Sequence, residues 1–151
     1  MMRKLMIVLA CLAPMFAQAA EKKSFTLSVN EMLDLTDALG KLDGATVAVE
    51  DGAKKSAVPQ AFKFSVNVRL AIAENIEALR DALRAPQATI MKLRATETDA
   101  TRAAVMEQLI ALGSETKEVT LYTLTPEELA LEENKEIRVS TLASLRVLMK
   151  K

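Results

Sequence analysis

FKFSVNVRLAIAENIEALRDALR, residues Phe62 to Arg84, is the longest periodic apolar stretch outside the N-terminal segment. Val68, Ile72, Ile76, Leu79 and Leu83 recur at steps of 4, 4, 3 and 4, which sets them on one stripe of an α-helix. Asn67, Glu74, Asn75, Glu77, Asp81 and Arg84 are assigned to the opposite, solvated side. Glu77 with Arg80, and Asp81 with Arg84, are three apart and read as exposed charge neighbours. A helix with one oily side must bury it, so the flanking sequence is expected to supply short covering elements.

Upstream, Lys23 to Leu27 reads as a short strand. Ser28-Val29-Asn30-Glu31 is a capping-box pattern that starts a helix bearing Met32, Leu35 and Leu39, with Gly40 placed to end it. Asp43-Gly44 and Asp51-Gly52 are turn dipeptides around a strand from Ala45 to Glu50, in which Val47 and Val49 share one face. Their spacing is not that of a calcium-binding EF-hand loop. Gly52 to Gln60 reads as an exposed loop, and Phe62 with Phe64 as a short strand entering the main helix.

Downstream, Pro86 is expected to stop or sharply kink that helix, because proline has no amide hydrogen for the preceding turn. Ile90, Met91 and Leu93 allow another turn or two before a loop from Arg94 to Thr101. Asp99 or Thr101 is placed to cap a helix with the stripe Val105, Leu109 and Leu112, ending at Gly113. Glu118 to Leu124 alternates as a strand. Thr125-Pro126-Glu127-Glu128 has the form of a short helix start, and Glu132 to Lys135 is a charged stretch. Ile137 and Val139 suit an extended segment, after which Ser140 or Thr141 caps a final helix carrying Leu142, Leu145, Leu148 and Met149. The architecture expected is α+β. It is a single small domain over residues 20–151 with one long central amphipathic helix, two or three shorter helices and short antiparallel strands.

Composition narrows the chemistry. The chain has 151 residues, half of them hydrophobic and only 3% aromatic, so its core must be aliphatic. It holds no histidine, no tryptophan and one cysteine, Cys11. The common zinc sites and the nucleophile systems built on histidine therefore have no residues to use, and no catalytic, cofactor-binding or metal-binding residue is assigned. Four glycines leave little from which to build a phosphate loop. Asp34 and Asp37 are spaced for paired acid/base work, but such pairs are far more often a solvated face. Lysine and arginine total 20, as do aspartate and glutamate. Without Arg3 and Lys4, 18 basic groups face 20 acidic ones, and nucleic-acid binding through counterion release is not expected.

The first residues carry a different message. MMRKLMIVLACLAPMFAQAA has a basic start at Arg3 and Lys4, an apolar run from Leu5 to Phe16, and a small-x-small site at Ala17 and Ala19. That is the pattern of a cleavable secretory signal over residues 1–19, with an apolar part too short to remain as a membrane anchor. Val8-Leu9-Ala10-Cys11 also approaches a lipidation motif, but the bulky Leu9 and the short run before Cys11 depart from it. After ordinary cleavage the mature chain holds no cysteine, so its stability rests on packing. The product is expected to be periplasmic or secreted, without stable membrane insertion.

Three blocks, FTLSVNEMLDLTDALGKLDG, FKFSVNVRLAIAENIEALRDAL with Asn75 inside it, and EVTLYTLTPEEL followed by EIRVSTLASLRVLM, are together similar to a small phage-encoded family found near virion structural genes. The resemblance covers most of the chain after residue 20 and implies an assembly or interaction role with no assigned activity. The export signal departs from it, since virion parts assemble in the cytoplasm. The function expected from the residues is an exported protein without evident catalytic chemistry that acts on an unknown protein partner. The alternatives are a cytoplasmic phage-type accessory protein and, less favoured, a carboxylate enzyme using the cluster from Glu31 to Asp37. Mass spectrometry of the expressed protein separates the first two: the product should begin at Ala20 or Glu21, and an intact Met1 in the cytosol would contradict export.

Overall fold

A computed structural model of the chain describes residues 21–44, 46–51, 54–59 and 62–149, with side chains from 46 to 59 excluded. Cys11, Ala17 and Ala19, the turn at Gly52 and the side-chain alternation of Val47 and Val49 lie outside the described residues. The elements run in order as strand β1 (Lys22–Ser28), helix α1 (Val29–Leu42), strands β2 (Thr46–Asp51) and β3 (Lys54–Pro59), helix α2 (Val66–Ala95), helix α3 (Arg102–Ser114), strand β4 (Thr116–Tyr122) and helix α4 (Val139–Leu145). A 3-10 turn, Arg146–Leu148, follows α4. The fold is α+β, and the described residues form one long helix, three shorter helices and two antiparallel strand pairs, β1–β4 and β2–β3.

The capping box forms as its sequence requires. The Ser28 hydroxyl accepts from the Glu31 amide, and the Glu31 carboxylate accepts from the Ser28 amide at 2.8 Å. Helix α1 then buries Met32, Leu35 and Leu39 as expected. Gly40 does not end it. The helix continues to Leu42 because Leu42 still has core to cover, and the reversal falls at Gly44, whose φ of 105° suits glycine. The span read as an exposed loop, 52–60, contains strand β3, paired from Lys54↔Asp51 to Pro59↔Thr46. The polar composition of that span hid a hairpin strand held by main-chain bonds.

Helix α2 covers the centre of the core with Val68, Ile72, Ile76, Leu79 and Leu83. Asp81 and Arg84 meet as an exposed ion pair. Two expectations about this helix are corrected. Asn75 is not on the solvated side: it is 1% exposed, and its amide bonds both main-chain groups of Tyr122. Its place three residues after Ile72 and four before Leu79 is a core position by helical spacing. Phe62 and Phe64 form no strand. They lead into the helix as irregular chain with their rings 5.6 Å apart, and the Arg69 guanidinium bonds the carbonyls of Phe62 and Phe64.

Nor does Pro86 stop α2, which runs 30 residues and ends at Ala95. Proline at 86 cannot donate to the carbonyl of Ala82 four residues earlier, and that carbonyl should stand orphaned. Instead the Lys117 ammonium, reaching from β4, donates to Ala82 O at 3.1 Å. Buried Pro86 and the covering contact with β4 keep the helix whole past its break.

Helix α3 buries Val105 and half-buries Leu109 and Leu112, and it runs one residue beyond Gly113. A Cβ at Gly113 would come within 2.6 Å of the Asn30 side chain, so glycine lets the end of α3 approach the start of α1. Strand β4 ends at Tyr122, and Thr123 and Leu124 are both buried instead of alternating. The Leu124 amide bonds the Leu148 carbonyl, tying the C-terminal segment to the end of the sheet. The expected helix after Thr125 is a run of turns. Thr125 and Glu128 do cap each other, but Ala130 has φ 46° and breaks the spiral. That bend delivers Asn134, read in the sequence only as part of a charged stretch, into the core at 2% exposure. Its amide bonds Lys63 N, Lys63 O and Leu129 O. Helix α4 starts at Val139 with Arg138 at the cap position, and Ser140 and Thr141 lie inside the helix, so neither caps it.

The Lys117 contact can be measured by a double-mutant cycle. Lys117→Met should cost about 1–2 kcal/mol in urea denaturation of the parent. In a Pro86→Ala background, where residue 86 can supply its own amide to Ala82, that cost should fall by more than half.

Candidate interaction site

The acidic cluster from Glu31 to Asp37 sorts into separate roles. Glu31 is committed to the cap of α1: the Ser28 amide and hydroxyl hold its carboxyl below the usual carboxylate value. Asp37 pairs with Lys41 one turn on. Asp34 is exposed, and among the described residues no cation pairs with it. Of the two aspartates, Asp37 is the one held by a lysine of its own helix. Among the described residues, no three carboxylate, histidine or cysteine side chains converge on a possible metal position.

What the cluster does form is one wall of a cavity. Helices α1 and α4 pack together, and where their exposed edges diverge they leave about 360 Å³ lined by Glu31, Asp34, Ala143, Ser144 and Val147. The α1 wall is anionic. The wall formed by α4 and the 3-10 turn after it is largely apolar, and Val139, 82% exposed, stands four residues before Ala143 on the same helix. Val139, expected in a short extended segment, instead opens α4 and brings this stripe into view. Its signal was the four-residue step from Val139 to Ala143 to Val147, which lies off the Leu145–Leu148 core side.

The groove sets the carboxylates of Glu31 and Asp34 against the apolar Ala143 and Val147. It can hold a segment that presents aliphatic side chains to one side and lysine or arginine to the other. Among the described residues no helix is long and apolar enough to cross a membrane.

The cap has a checkable pH signature. A carboxyl whose folded value is depressed adds stability above its unfolded value, and that stability disappears as pH falls through the folded value. Glu31→Gln should thus be less stable than the parent at pH 7, by less than about 1 kcal/mol because the group is solvated. The difference should close below about pH 4 in urea titrations at a series of pH values. No family model matches the chain, and no curated protein or solved structure matches it, so its own surface chemistry carries the functional reading.

Proposed function

We propose that this is a small exported protein that acts by binding another polypeptide in the groove between α1 and α4. The observation that carries the reading is the exposed apolar edge Val139, Ala143 and Val147 set against the exposed carboxylate of Asp34. Solvent-facing valines at helical spacing gain by being covered, at about 25 cal/mol per Å² of apolar surface removed from water. The carboxylates select what covers them, favouring a cationic segment and repelling an acidic one. Export is supported by the signal pattern of residues 1–19 and supplies the compartment in which the partner is sought.

The test is a comparison of variants. A partner retained from periplasmic extract by the parent protein should be lost with Val147→Asp and with Asp34→Lys, both exposed changes that leave the fold intact. Binding should also weaken as salt is raised through about 0.15 M, since the contact is partly between exposed charges. Retention unaffected by either substitution would place binding elsewhere on the surface.

A further inference from the structure

Among the described residues no strand pairs with the outer edge of β1, and antiparallel self-pairing about Ser24 would set no lysine opposite a lysine. The register pairs each β1 residue with the β4 residue whose number brings the sum to 144, from Lys22↔Tyr122 to Ser28↔Thr116. Just beyond the ends, Thr123 N donates to Glu21 O and Val29 N donates to Glu115 O. Hydrogen-bonded pairs in an antiparallel ladder alternate, so the odd residues Lys23, Phe25 and Leu27 point their main-chain groups at β4. The even residues Lys22, Ser24, Thr26 and Ser28 point theirs outward. Tyr122, the even residue opposite Lys22, confirms the phase: its outward groups are the ones that Asn75 takes on the far side of the sheet.

On the β1 side the outward amide of Ser28 goes to the Glu31 carboxylate. Lys22, Ser24 and Thr26 are exposed, and among the described residues nothing bonds their outward amides and carbonyls. Three consecutive free positions, closed at one end by the capping box, form a short ladder centred on Ser24.

We propose that this edge pairs with the same edge of a second copy of the chain, joining two β1–β4 pairs into one four-stranded antiparallel sheet across a two-fold axis at Ser24. The occupant follows from the charge pattern. Antiparallel pairing about Ser24 sets Lys22 opposite Thr26 of the other copy, Lys23 opposite Phe25, and serine opposite serine. No lysine faces a lysine. A two-fold shifted to Lys22, or a parallel arrangement in register, would stack like charges, which destabilises cross-strand pairs. The Ser24-centred ladder supplies roughly six main-chain hydrogen bonds. It buries less than a standard interface, so the dimer is a weak, concentration-dependent one. This edge is separate from the α1–α4 groove, and either surface can fail without the other.

Sedimentation velocity on the purified mature protein, from micromolar to about 1 mM, tests the pairing. The parent should move from monomer to dimer across that range. Ser24→Pro removes an outward amide that no bond within the chain uses, so it should keep the circular dichroism of the parent and stay monomeric. Should that variant fail to fold, position 26 still decides. Thr26→Lys faces Glu118 within the chain and Lys22 across the axis. It should hold or raise thermal stability while weakening the dimer about fivefold to tenfold. Thr26→Glu should do the reverse on both measurements. A parent that stays monomeric up to about 1 mM overturns the proposal. So does a folded Ser24→Pro that dimerises like the parent, or two Thr26 variants whose dimerisation shifts the same way.

Discussion

The Asn75 amide meets both outward main-chain groups of Tyr122, at 2.7 Å to the nitrogen and 3.0 Å to the oxygen, and the rest of the fold is arranged around that contact. A two-stranded sheet has two open edges and little independent stability. By presenting a carbonyl and an NH₂ from the buried stripe of α2, Asn75 imitates one residue of a third strand. It fixes the longest helix against β4 in a single register, which pure aliphatic packing would specify less sharply. Leaving the Tyr122 amide and carbonyl unpaired in the same position would cost about 1–3 kcal/mol each, comparable to the burial of a core leucine. Asn134 repeats the device at the other end of the core. Its amide closes on both main-chain groups of Lys63, so the irregular chain before α2 is bonded much as a strand would be.

The same logic explains how α2 passes through Pro86. A proline inside a helix costs about 3 kcal/mol, part of it from the orphaned carbonyl four residues back. Here the orphan is used. Lys117 lies on the core side of β4, five residues before Tyr122, and Ala82 lies seven residues after Asn75. The helix and the strand therefore run in opposite directions side by side, with a polar contact near each end and Ile76, Leu79, Val119 and Leu121 buried in the same core. Asn75 serves the strand's main chain and Lys117 serves the helix's. Each element satisfies the group that the other cannot satisfy within itself.

These contacts mark where the sequence is legible and where it is not. Elements fixed by local rules, such as the Ser28–Glu31 cap, the aliphatic stripe of α2 and the alternation leading to Val119 and Leu121, could be read directly because their causes lie within a few residues. Features that depend on a distant partner could not. Asparagine at 75 is polar by type and core by position, and only Tyr122, 47 residues away, decides between them. Pro86 looks like a stop until Lys117 is placed beside Ala82. Asn134 is masked by the charges around it, and Val139 by the extended conformation its type favours. The α1–α4 groove was half visible. Its acidic wall is visible as the cluster from Glu31 to Asp37, whereas its apolar wall depends on α4 beginning at Val139.

The capping box links this architecture to the two surfaces left over. Ser28 is the last residue of β1 and the cap of α1, so it stands where the sheet edge ends and the helix begins. Its outward amide, which would extend the open edge by one position, is given to Glu31. The same carboxylate stands in the acidic wall beside α4. One pair of residues therefore sets the length of the edge and part of the charge of the groove while holding the first turn of α1. A change at Ser28 or Glu31 must be felt at both surfaces, whereas Ser24, Thr26, Asp34 and Val147 each lie on one surface alone. Because those four residues lie outside this junction, the surfaces can be probed one at a time.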